Sequence, residues 1–160
     1  MENRLNIAVK RLLDITFFAG IAVWAAMPVL LRYLLGLYGR IAWSRPVSDP
    51  ATASAAYYPV LISIMPAGLL ALLILRELRK MMTTVLAGDC FVEANVTSLK
   101  NMGTFAFIIT AVLIVRIFFF FTLTALTVAA VFLFAGLFSK VLAAVFEKAV
   151  AYKLENDLTI

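Results

Sequence analysis

Histidine is absent from this 160-residue sequence, and cysteine occurs once, as Cys90. The first absence removes imidazole-based metal sites and histidine acid–base catalysis. The second excludes an intrachain disulfide. A lone thiol without a histidine or evident base is expected to be inert. The patterns G-x-x-x-x-G-K, C-x-x-C and G-x-S-x-G are also missing, and with them the phosphate-binding, redox and nucleophile-elbow chemistries they support. No residue constellation points to an enzyme, and no cofactor or metal site is expected. Acids are scarce: Thr104 to Phe138 has none, and one base, Arg116. Proton- or cation-coupled transport ordinarily needs a carboxylate within the membrane, so a transporter of that kind has little support.

What the sequence has in abundance is apolar side chains. They make up 64% of residues, and mean hydropathy is +1.03. Soluble domains are about half apolar, so this excess argues for lipid as the solvent. The fold class read from the pattern is all-α: an integral membrane four-helix bundle, one domain over 1–160. Spans are expected at about 12–37, 58–75, 104–121 and 124–144. They leave a cytoplasmic loop at 76–103, carrying an amphipathic helix between spans 2 and 3, and a cytoplasmic tail at 147–160.

Along the chain, Met1 to Arg11 is short and basic, and the apolar run from Leu12 to about Leu37 is too long for a signal-peptide core. Ser48-Asp49-Pro50 is a helix-start signature, a cap followed by proline at the first helical position. Tyr33, Tyr38, Trp43, Tyr57 and Tyr58 form an aromatic belt expected at a water interface. Pro66 should kink the second span, whose helix then continues as far as Ala87, where Gly88 stops it in the left-handed C-cap role. Thr104 to Phe138 would form a helix of roughly 50 Å, against a hydrocarbon core of about 30 Å. Two spans with a turn near Phe121 to Thr124 fit better, although neither Gly nor Pro marks that turn.

Bases set the orientation. Arg4, Lys10 and Arg11 lie at the N-terminus, Arg76, Arg79, Lys80 and Lys100 in the middle loop, and Lys140, Lys148 and Lys153 near the C-terminus. Only Arg40 and Arg45 lie in the first outer loop. This asymmetry places both termini and the middle loop in the cytoplasm. The net charge of +5 is explained by this topology and by contact with anionic lipid, and no direct nucleic-acid binding is expected.

At 100° per residue, Phe91, Val92, Val96, Leu99 and Met102 fill one arc of a helix over 91–103, and Glu93, Thr97, Lys100 and Asn101 the opposite one. Such a helix lies on a membrane surface or docks on a partner. Asn95 falls within the apolar arc, where its amide needs a hydrogen-bond partner; a bond tying the loop to a neighbouring helix end is the simplest arrangement. Phe91, Asn95 and Leu99 are the candidate partner-binding residues. Leu158, Thr159 and Ile160 join them, because an apolar terminus after Glu155-Asn156-Asp157 suits strand addition or carboxylate capture by a partner, or folding back under the middle loop. Arg116 is the candidate intramembrane polar site, with snorkelling to the outer interface as its simpler explanation. Asp14 is expected to pair weakly with Lys10, one turn earlier. Small residues such as Ala125, Ala129, Ala130, Ala135 and Gly136 permit close helix packing and homodimers.

The spacing Gly88-x-x-Phe91-x-x-x-Asn95-x-x-x-Leu99-x-x-x-Gly103, together with the terminal Glu155-Asn156-Asp157-Leu158-Thr159-Ile160, resembles the bacterial membrane family called domain of unknown function 2975. Cys90 stands where the family commonly has proline, and the first outer loop is longer. The resemblance implies four spans and a cytoplasmic central loop. Members are often encoded beside a small helix-turn-helix regulator, which implies such a regulator as a cytoplasmic partner. A small-solute transporter, or a subunit of a transport complex, is the alternative.

Overall fold

A computed structural model describes residues 2–41, 50–119 and 121–157, with side chains over 4–34, 57–119 and 121–156. It contains four helices: α1 (Glu2–Ile41), α2 (Pro50–Leu86), α3 (Glu93–Phe119) and α4 (Leu123–Asp157). All four are long and apolar enough to cross a membrane. Helix is the form such sequence must take in lipid, because it satisfies every backbone N–H and C=O internally. At 40, 37, 27 and 35 residues and 1.5 Å per residue, even the shortest exceeds a core of about 30 Å. Length beyond the core is taken up by tilt or by projection into water.

The helix ends follow local chemistry. Pro50 is the first residue of α2, in line with the start signature; Ser48 and Asp49 lie outside the described residues. α2 runs unbroken through Pro59 and Pro66. It closes on Gly88, whose φ is +84°, and there the Gly88 and Asp89 amides donate back to Val85 (3.1 Å) and Thr84 (3.2 Å). A residue with a Cβ would resist that left-handed backbone. α3 ends at Phe119 and α4 begins at Leu123, so the turn falls where span length demands it. The Leu126 amide donates to Thr122 at 3.2 Å.

The expected bundle is instead an open row. α1 packs on α2, α2 on α3, and α3 on α4; among the described residues no other pair of helices meets. Neighbours run antiparallel, since Asp14 meets Arg79 and Lys100 meets Glu147 at one end, while Pro28 meets Tyr57 further along. The core lies between α2, α3 and α4. Ile109, Leu113 and Ala129 are buried there, flanked by Ala67, Leu70, Ala71, Ile74, Ile117 and Phe132. Small residues let α3 and α4 approach closely: a Cβ on Gly103 would stand 3.1 Å from the Gly136 carbonyl oxygen. α1 is attached by polar tethers, the Trp24 indole donating to Met65 O (3.0 Å) and the Tyr57 hydroxyl to Pro28 O (3.1 Å).

A second correction concerns the amphipathic segment. It is not a separate helix between spans: α3 is continuous from Glu93 to Phe119, and this segment forms its first turns. Nothing between Glu93 and Thr104 breaks a helix, and Gly103 sits inside α3 at the close crossing with α4. The apolar arc is real, but the protein's own helices cover it. Asn95, Val96, Ser98 and Leu99 are all buried.

Candidate functional site

Two regions hold the polar side chains that a membrane helix would not need for packing alone. The first is the end of the row that carries residues 76–103, the start of α1 and the end of α4. The Glu77 side chain is 9% exposed, and both of its oxygens are engaged. Ser98 Oγ donates to Oε2 at 2.8 Å, and Lys80 Nζ to Oε1 at 2.8 Å. Glu77 lies beyond the expected second span. Burial pushes its carboxyl pKa up, but the hydrogen bonds from Lys80 and Ser98 and the nearby charges of Lys80 and Arg76 outweigh that and hold it below the usual carboxylate value. Sequence reasoning did not single out Glu77. Its signal is that it is the only acid in the run from Arg76 to Ala87, where an unpaired carboxylate against apolar neighbours would be costly.

Asn95, 2% exposed, closes the corner beside it. Its Nδ2 donates to Cys90 O at 2.8 Å, and its Oδ1 lies 2.9 Å from Thr84 Oγ1. The amide therefore ties the 87–92 turn to α2. Asp14 does not pair with Lys10. It accepts from Arg79 Nε at 2.6 Å, and the Arg79 guanidinium lies 4.5 Å from the Phe17 ring centre. The ring contact adds to the attraction of the ion pair, whereas a pair one turn apart on the same helix contributes only a few tenths of a kcal/mol. On the other flank, α4 is tied down by Lys153 to Asp89 (2.8 Å) and Lys100 to Glu147 (3.0 Å). The Phe91 and Phe146 rings meet there, their centres 5.4 Å apart.

The structure thus gathers Phe91, Asn95 and Leu99 at one corner but exposes them unequally. Asn95 and Leu99 are 2% and 5% exposed, whereas Phe91 is 46% exposed. Towards the end of α4, on either side of the Lys153 that pairs with Asp89, Tyr152 and Leu154 are 67% and 54% exposed. Leu158, Thr159 and Ile160 lie outside the described residues.

The second region is at the opposite end. Arg116 stands in the last turn of α3. Among the described residues its Nε is buried and lacks a hydrogen-bond partner. It borders two hollows: one of about 340 Å³ between α2, α3 and α4, and one of about 670 Å³ between α2 and α3. Apolar side chains dominate both walls. No group of three or more His, Cys, Asp or Glu capable of holding a metal occurs among the described residues.

No curated protein and no solved structure matches this chain. A family model does, over residues 41–160. That stretch takes in α2, α3 and α4, the helices that build the core and carry the Glu77, Asn95 and Arg116 positions. The chain belongs to the family described as protein of unknown function (DUF2975).

Proposed function

We propose that this is a multi-pass protein of the bacterial inner membrane, with both termini cytoplasmic, that acts by binding a cytoplasmic protein. The charge count supports the orientation: ten bases flank the termini end and two lie in the first loop at the other. The observation that carries the binding role is the set of exposed apolar side chains at that charged end, Phe91, Tyr152 and Leu154. Phe91 sits in the turn between α2 and α3, and Tyr152 and Leu154 sit near the end of α4, beyond the expected spans and so away from the lipid tails. The Asn95 bond to Cys90 O, the Lys153–Asp89 pair and the Phe91–Phe146 contact hold the 87–92 turn against α2 and α4, which lowers the ordering cost of docking. The docking surface is Phe91 with the end of α4 and the Leu158–Ile160 tail; Asn95 and Leu99 shape it from beneath. The partner class we favour is a small helix-turn-helix regulator.

The test is capture from solubilised membranes, comparing the intact chain with Phe91→Ala and with a deletion of 158–160. The intact chain retains a small regulator, and both variants lose it. Equal retention by all three overturns the reading. A solute-carrier reading would have to route its substrate past Arg116, and the apolar walls there favour an amphiphile over a hydrated solute.

A further inference from the structure

The Arg116 region supports an inference separate from the docking surface, and independent of which face of the membrane is cytoplasmic. We propose that the α2–α3 groove at Arg116 is a binding site for one anionic phospholipid. The phosphate would be held by the Arg116 guanidinium, and an acyl chain would lie along the groove.

Four observations converge. First, Arg116 lies three residues before the end of α3 at Phe119, about 5 Å along the axis. With α3 spanning the bilayer, that depth is where headgroup phosphates meet the hydrocarbon. Second, among the described residues no carboxylate pairs with the cation. No acid occurs between Glu93 and Glu147, and Asp49 is the single acid between Asp14 and Glu77. Third, Nε is shielded from solvent without an acceptor. A helix C-terminus favours a cation, but it offers this N–H no oxygen. A phosphodiester supplies two oxygens in the geometry a guanidinium matches. Fourth, the adjoining groove is shaped for a hydrocarbon chain. Its volume is about 670 Å³, and Pro59, Ile62, Pro66, Val112, Val115 and Phe119 line it. A free phosphate or a small hydrated anion would leave that wall unfilled.

The test is native mass spectrometry of the full-length protein in detergent, titrated with phosphatidylglycerol, phosphatidylcholine or sodium phosphate. The intact chain should retain one phosphatidylglycerol in preference to phosphatidylcholine, and millimolar phosphate should not displace it. Arg116→Leu should weaken retention at least tenfold, and Arg116→Lys less, because a point charge keeps the attraction without the fork. Ala111→Trp, at an exposed position lining the groove, leaves the cation in place, so its expected tenfold loss reports the acyl chain separately from any folding defect in Arg116→Leu. Asp49→Asn should leave retention unchanged. The proposal is overturned by unaltered binding in Arg116→Leu or Ala111→Trp, by equal affinity for both lipids, or by displacement with phosphate. It is also overturned if the Asp49 and Arg116 substitutions have non-additive effects on thermal stability, which would mark an internal ion pair.

Discussion

Replacing Asn95 tests the corner that holds the charged end of the row together. The Asn95 amide makes one unambiguous donation, to Cys90 O at 2.8 Å. On its other side, Thr84 Oγ1 lies 2.7 Å from Met81 O and 2.9 Å from Asn95 Oδ1. A hydroxyl has one hydrogen, so Thr84 remains satisfied by Met81 when the amide is removed. Asn95→Ala therefore costs one net hydrogen bond, about 1 kcal/mol. The small void left at a fully enclosed position adds about as much again, for a total of about 2 kcal/mol. Asn95→Asp should be worse at neutral pH, despite its near-identical shape. One carboxylate oxygen would accept from Thr84, but the other would face the Cys90 carbonyl oxygen, and an uncompensated charge would be buried, costing about 3–5 kcal/mol. Cys90 supplies the assay. It is the only thiol and is partly buried in the loop that Asn95 anchors, so maleimide labelling reads local opening at one site. An increase of about 30-fold in labelling rate is expected for Asn95→Ala, because each 1.4 kcal/mol is a factor of ten, with a larger increase for Asn95→Asp. A rate for Asn95→Asp at or below that of Asn95→Ala would refute the assigned donor and acceptor roles.

Other consequences are direct. Glu77 carries a lowered folded-state pKa, so its contribution is present above its unfolded value of 4.5 and is lost as pH falls through the folded value. Thermal unfolding of the intact chain should therefore weaken in acid, and Glu77→Gln should flatten that acid limb while lowering stability at pH 7. Gly103→Ala puts a methyl 3.1 Å from the Gly136 carbonyl oxygen and should destabilise by about 1–3 kcal/mol through overpacking, read as a lowered melting temperature in detergent. The Asp14–Arg79 pair is about one-third exposed on each side, so a double-mutant cycle with Asp14→Asn and Arg79→Ala should return a coupling of at most about 1 kcal/mol.

Element type and most boundaries are legible because lipid leaves the backbone one economical choice and because local chemistry marks the stops. Pro50 opens α2, Gly88 closes it, and the turn between α3 and α4 falls near Phe121 with no breaker to announce it, placed by span length alone. The arc containing Asn95 and Leu99 is legible as well, since the buried residues of α3's first turns follow the predicted face. What covers that arc is not. An apolar stripe on a helix reads the same whether lipid, a partner or the protein's own α2 and α4 lies against it, and the continuity of α3 decides for the last. Asp14 shows the same limit on the polar side: its local neighbour Lys10 is visible in the sequence, but its partner Arg79 is 65 residues away. Glu77 stayed hidden because its Ser98 partner is uncharged and belongs to the next helix.

The row arrangement has a consequence for how the molecule is made. Among the described residues each helix packs only on the helices adjacent to it in the chain, so every interface can close as soon as the later helix has entered the membrane. Nothing has to wait for the C-terminus to return to the N-terminus, and no long loop entropy stands in the way. Assembly can proceed as a succession of hairpins, with each later helix adding one face to the helix before it. Among the described residues no other helix covers the outer faces of α1 and α4, so these faces meet whatever the bilayer presents during synthesis.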